Sequence, residues 1–199
     1  SGIDQDRVQS MRGGEEALIK FKEWRKGMLA PSPLNDRSGI QRHAAITGKS
    51  AYVVLTGRRR DFSPLVEYYA FNEGVLKYDW HASEGFGEVR IPKLKDLPAS
   101  ESRLLRVVAK PANLFSPAFP EADFSCGCMH RMDPVEFIWG YARGGSEVGQ
   151  KLQRAWSNPD TYGTEGRVTI RIQKSRGEAS HNRVEIVEFL HGDWFTPSS

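Results

Sequence analysis

The stretch Val75-Leu76-Lys77-Tyr78-Asp79-Trp80-His81-Ala82-Ser83-Glu84-Gly85-Phe86-Gly87 decides the fold class. Residues 75–81 read as a β-strand that runs into a glycine-flanked turn. Side chains alternate along a strand, so Tyr78 and Trp80 share one face while Asp79 and His81 share the other. Upstream, Asn72-Glu73-Gly74 closes a hairpin between 65–71 and 75–81, and a shorter strand at 52–56 precedes it across the loop 57–61. Downstream, strands are expected at 104–109, 124–129, 135–142, 167–173 and 183–190. Asp133-Pro134 and the glycine-bearing loop 174–182 supply turns between them. In 167–173 the alternation is regular: Val168, Ile170 and Ile172 point inward, and Arg167, Thr169, Arg171 and Gln173 point out.

Two segments follow a helical period instead. Ala17, Leu18, Phe21, Trp24 and Met28 form an apolar stripe over 13–29, which Pro31 and Pro33 terminate. Val148, Leu152, Ala155 and Trp156 mark one face of a short helix over 146–156, with Ser146 as its N-cap. Residues 34–50 are polar and irregular and read as a linker or a short second helix. An aromatic loop at 113–123 is expected to pack on a sheet. The expected fold is therefore α+β: a strongly bent antiparallel β-sheet or small β-barrel, an N-terminal amphipathic helix, and one short helix near 146–156. The expected division is a helical segment and linker at 1–50 and a mainly antiparallel β domain at 51–195, which are free to pack as one compact domain.

Bulk properties exclude several classes. With 199 residues, 39% hydrophobic and 27% charged, the chain can bury a sizeable core and is not disordered by composition. The net charge of +3 is too near balance to argue for nucleic acid on its own. Residues 1–60 nevertheless hold 12 Lys/Arg against 6 Asp/Glu, which would suit an anionic partner such as nucleic acid or lipid headgroups. No apolar run approaches the ~20 residues needed to cross a bilayer. Ser1-Gly2 reads as a cleavage scar, which leaves room for a targeting or anchoring segment upstream and keeps the compartment open. Two cysteines do not make a disulfide scaffold.

Four constellations bear on chemistry. Cys126, Cys128 and His130 share a strand face, and all three are metal-ligand types. On a straight strand the first and last would have Cα atoms about 13 Å apart. Bonds of about 2.0–2.3 Å cannot gather them around one ion, so two small thiols lining a core face is the preferred reading. Asp79 and His81, with Glu84 beyond, could orient an imidazole for general-base work, but no nucleophile accompanies them. Arg58-Arg59-Arg60 is a basic triplet that Asp61 partly offsets. Gly144-Gly145-Ser146 before a helix could cradle an anion, but a simple helix cap explains it as well.

Three blocks resemble a known pattern. Lys77-Tyr78-Asp79-Trp80-His81-Ala82-Ser83-Glu84-Gly85-Phe86 is similar to a block of valine or leucine, Asp-Trp-Glu-Ala, then Gly-Tyr. Residues 106–119 are similar to an R-V-x-A-x…Y-x-F-x-F block. Ile138-Trp139-Gly140-Tyr141-Ala142-Arg143-Gly144-Gly145-Ser146-Glu147 is similar to a G-Y-V-x-R-x-S-E-L block. Together, over about residues 60–190, they resemble an uncharacterised bacterial domain family often found behind an N-terminal membrane-anchoring helix. The resemblance implies a tethered module and no particular activity. His81 stands where that family carries an acid, so a role for the acid does not transfer.

The leading expectation is a non-enzymatic binding or accessory domain with no catalytic, cofactor or metal residues. Phe62, Tyr68, Phe115 and Phe119 are its candidate protein-facing patch. The alternative is a hydrolase-like site at Asp79, His81 and Glu84, and the third is weak nucleic-acid binding through the basic N-terminal part.

Overall fold

In the computed structural model, residues 2–26, 39–47, 50–72, 74–99, 101–130, 136–156, 166–174 and 182–196 are described. Met28, Glu73, the Asp133-Pro134 turn and loop residues 175–181 lie outside them. The content is mixed α+β, dominated by strands in two sheets of four and five. The chain packs as two compact units, one up to Glu84 and the other Gly85–Thr196.

The first unit is built on the sheet β1-β2-β3-β4 (Gln41–Thr47, Ser50–Arg58, Pro64–Asn72, Val75–Asp79), with every neighbouring pair antiparallel. The segment expected as linker or helix at 34–50 instead supplies β1, which pairs with β2 from Gln41↔Thr56 to Thr47↔Ser50. A division at position 50 would cut that ladder. Sequence alone missed β1 because its apolar residues, Ala44, Ala45 and Ile46, are consecutive and show no period of two.

Two helices precede the sheet where one was expected: α1 (Gly2–Ser10) and α2 (Gly14–Arg25). Between them Met11 bridges Tyr78 and the Arg12 amide donates to the Tyr78 carbonyl at 2.9 Å, so this connection lies along the outer edge of β4. Gly13 and Gly14 take φ of 86° and 59°, a turn that glycine makes without strain. Ala17 and Leu18 of α2 are buried, and Phe21 meets Trp80 edge to face at 5.7 Å.

β4 ends sooner than the alternation suggested. It stops at Asp79, and Trp80–Ser83 form one helical turn, α3. Asp79 is its N-cap, its Oδ1 accepting the Ala82 amide at 3.1 Å. Ser83 completes the junction: its hydroxyl accepts the Tyr68 amide at 2.8 Å and donates to the Asp79 carbonyl at 2.7 Å. The Tyr68 amide, opposite the last residue of β4, thereby has its acceptor.

The second unit holds β5 to β9 (Ser102–Ala112, Phe124–His130, Phe137–Arg143, Gly166–Gln173, Arg183–His191). Its hydrogen-bonded order β5-β6-β7-β9-β8 returns to β5. All pairs are antiparallel except β7 with β9, which run parallel over Trp139↔Arg183 to Tyr141↔Glu185. Val107, Met129, Ile138, Val168, Ile170 and Ile172 are buried in the shared core, each contributing about 1.5–3 kcal/mol. A 3-10 helix (Ile91–Asp96) adds Ile91 and Leu94 to this core, and α4 (Glu147–Trp156) adds Leu152.

Thr169 departs from the expected outward, wet orientation. It is fully buried, and its hydroxyl donates to the Asp193 carbonyl at 2.7 Å. The C-terminal segment covers this side of the sheet: Trp194 is fully buried, and its indole donates to the Val107 carbonyl at 2.9 Å. Arg106 ties the segment down by donating to the carbonyls of Trp194 and Phe86, both at 2.7 Å, and to the Thr196 hydroxyl at 3.0 Å. A strand residue can thus point away from the core and still be dry.

Close packing generates a prediction at Gly149. Alanine normally gains about 1 kcal/mol over glycine within a helix. Here an added Cβ would sit 2.5 Å from the Arg143 carbonyl oxygen. Gly149→Ala is expected to cost a net ~1–3 kcal/mol, read as a lowered urea midpoint of the unit; a midpoint equal to or above the parent's would contradict this packing.

Candidate functional site

Asp79, His81 and Glu84 are near one another in sequence but are committed to different tasks. Besides capping α3, Asp79 accepts the Arg12 guanidinium on Oδ2, with only 4% of its side chain exposed. Glu84 receives the Arg25 guanidinium on both oxygens, at 2.8 and 2.9 Å. The His81 ring lies over Trp80 with centroids 4.0 Å apart. Each carboxylate is held by an arginine of the helical segment that packs on the sheet. Both carboxylates thus take part in ion pairs that tie the helical segment to the sheet. Because Asp79 now caps a helix, it and His81 no longer share a strand face as the alternation implied.

Asp79→Ala would uncap α3 and leave Arg12 without its carboxylate. The expected loss is about 2–4 kcal/mol in chemical denaturation, with Asp79→Asn in between because it keeps a capping acceptor. A loss for Asp79→Ala within ~0.5 kcal/mol of zero, the range of an ordinary surface change, would rule out this role.

Cys126, Cys128 and His130 lie on β6 facing away from Met129, in successive ranks opposite Tyr141, Trp139 and Phe137. Among the described residues no group of three or more His, Cys, Asp or Glu is placed to hold a metal ion. Cys126 is buried with Phe119 and Tyr141, whose rings stack at 4.1 Å and 3°. Burial pushes its thiol pKa up. Since the thiolate is the reactive form, iodoacetamide at pH 8 is expected to modify Cys126 only on unfolding. Mass spectrometry showing rapid native-state labelling at Cys126 would contradict this burial.

The expected aromatic patch divides. Tyr68 and Phe119 are core residues at 0% and 1% exposure, and Phe115 packs against the Phe119 cluster. Phe62 is 71% exposed, at the tip of the β2–β3 hairpin with φ of 63°. That turn is tied by Asp61, whose Oδ1 accepts the Ser63 amide at 3.0 Å and hydroxyl at 2.6 Å, and these bonds hold its carboxyl below the usual range. Arg58 ends β2, while Arg59 and Arg60 enter the turn. Gly144-Gly145-Ser146 is the helix cap expected: Ser146 Oγ accepts the Gly149 amide at 3.1 Å.

The surface that the sequence missed is the outward face of the four-strand sheet. Register places Ala44, Ile46, Ala51, Val53, Phe71 and Leu76 on it. Ile46 is 80% exposed, Phe71 54% and Leu76 45%. They line a shallow apolar cavity of about 560 Å³ at the end of the sheet where β1 turns into β2. Beyond this cavity β1 is an edge strand, with β2 its only sheet neighbour among the described residues. The signal lay in β1, which 34–50 concealed.

Comparison of the chain with protein-family models gives no match, and comparison with curated proteins gives none either.

Proposed function

We propose that this chain is a non-enzymatic binding domain that takes an extended segment of a partner protein beside β1. The observation that carries the reading is the exposed apolar face around Ile46, Phe71 and Leu76, contiguous with the open edge of β1. Large exposed apolar residues gathered at one place mark interaction sites, whereas isolated ones do not. An edge strand offers a row of backbone donors and acceptors, and an added strand would pair with them while its alternate side chains cover the apolar face. β1 carries none of the usual edge protection except Arg42, since it has no proline and no second charge. For Gly85–Thr196 the finer architecture we propose is a small β-barrel, because each of its five strands has two hydrogen-bonded neighbours.

The test is titration of the full chain, labelled with nitrogen-15, by synthetic eight-residue peptides alternating valine with polar residues. The expected result is saturable shifts at the amides of 41–47 and loss of binding by at least about tenfold in Ile46→Asp. Unchanged binding by Ile46→Asp, or no saturable shift at β1, would overturn the reading. So would concentration-dependent pairing of β1 with a second copy to the exclusion of peptide.

A further inference from the structure

We propose that Gly85–Thr196 carries a binding site for a small organic anion with a flat apolar body. The site is the cavity of about 470 Å³ bounded by the C-terminal half of α4, the start of β8 and the end of β9. That volume falls in the range of about 300–1,000 Å³ typical of small-molecule sites. It is independent of the strand-addition surface and uses none of its residues.

The charge on the cavity wall is one-sided. Lys151, Arg154 and Arg167 supply positive charge to it, His191 lies beside them, and no aspartate or glutamate lines it among the described residues. Surfaces kept only for solubility mix both signs. Lys151 is matched by Glu147 at 2.7 Å along the outside of the helix. Arg167 lies over the Trp194 ring at 5.8 Å, a contact that leaves its formal charge unneutralised. Arg154 is exposed, and neither it nor Arg167 forms an ion pair among the described residues. An anion entering beside Arg154 and Arg167 would meet two guanidinium groups that no carboxylate neutralises among the described residues. Guanidinium groups match phosphate and carboxylate oxygens with paired donors.

The rest of the wall is apolar. Trp156, Phe189, Leu190 and Val168 form it. The Trp156 indole Nε1 is buried and has no acceptor among the described residues. At the rim the β8–β9 register shifts from Thr169↔His191 to Ile170↔Phe189 and skips Leu190. Bulges of this kind re-aim side chains beside binding sites. A lining that offers both cations and rings selects a ligand with an anionic group and a flat body, and disfavours either part alone.

The experiment uses the full chain and 1-naphthyl phosphate as probe, with 1-naphthoate, 1-naphthol and inorganic phosphate as comparisons. Binding is read from the amides of Gly166 and Gly192 and the Trp156 indole in nitrogen-15 spectra at low salt. The two naphthyl anions are expected to saturate below about 1 mM, and naphthol and phosphate at least about tenfold more weakly. Arg154→Ala, at an exposed position, is expected to weaken naphthyl phosphate about five- to tenfold; Arg167→Gln provides a second variant. Which naphthyl anion binds tighter assigns phosphate or carboxylate as the natural group. Absence of saturation, equal binding of naphthol, equal binding of inorganic phosphate, or unchanged affinity in both variants would each overturn the proposal.

Discussion

Asp79 holds three constraints at once, and the first unit depends on it. Its backbone is the last rung of the β3–β4 ladder, opposite Tyr68. One carboxylate oxygen starts α3 by accepting the Ala82 amide, and the other holds Arg12, whose own amide bonds the edge of β4. A buried carboxylate is costly to desolvate unless it is both paired and hydrogen-bonded, and here it is both. The same residue therefore ends a strand, begins a helix and fastens the N-terminal helices to the sheet.

Gly85–Thr196 meets the same requirement, that buried polar groups find partners, by a different route. Arg106 and Thr169 sit on the outside of the strands, where solvent would normally satisfy them. Instead the Trp194 segment covers both, and they bond its backbone and that of Phe86. Their polar atoms are satisfied by backbone carbonyls far along the chain, so the covering segment is held by directed bonds as well as by burial of Trp194 and Phe195. A second device appears inside. At Gly140 an added Cβ would meet the Met129 Sδ at 2.7 Å, so the glycine makes room for a flexible thioether that fills the centre.

The two binding surfaces proposed above lie where the sequence carries no motif. The outward sheet face carries an apolar cavity beside an open strand edge, while the α4–β8–β9 cavity is lined by both cations and rings. Neither is a signature in sequence. Ile46, Phe71 and Leu76 come from three strands, and Arg154, Arg167 and His191 from a helix and two others. Their meaning lies in convergence, which spacing along the chain cannot express.

What the sequence by itself determined is the periodic part. Val168, Ile170 and Ile172 had to face inward, and Ser146 had to cap the helix after Gly145, because both follow from short-range geometry and side-chain chemistry. The mixed α+β content followed from the same local signals. Only the tertiary structure decided that β4 stops at Asp79, that Ala44–Ile46 join a sheet, that β7 and β9 run parallel, and that Thr169, Tyr68 and Phe119 are dry. Each depends on a partner that the local pattern does not reveal: the Asp79 cap and Arg12, β2, Arg183 to Glu185, the C-terminal segment, Tyr52 and Tyr141. A residue's neighbours in sequence state its preference, but burial and hydrogen bonding are settled by neighbours in space.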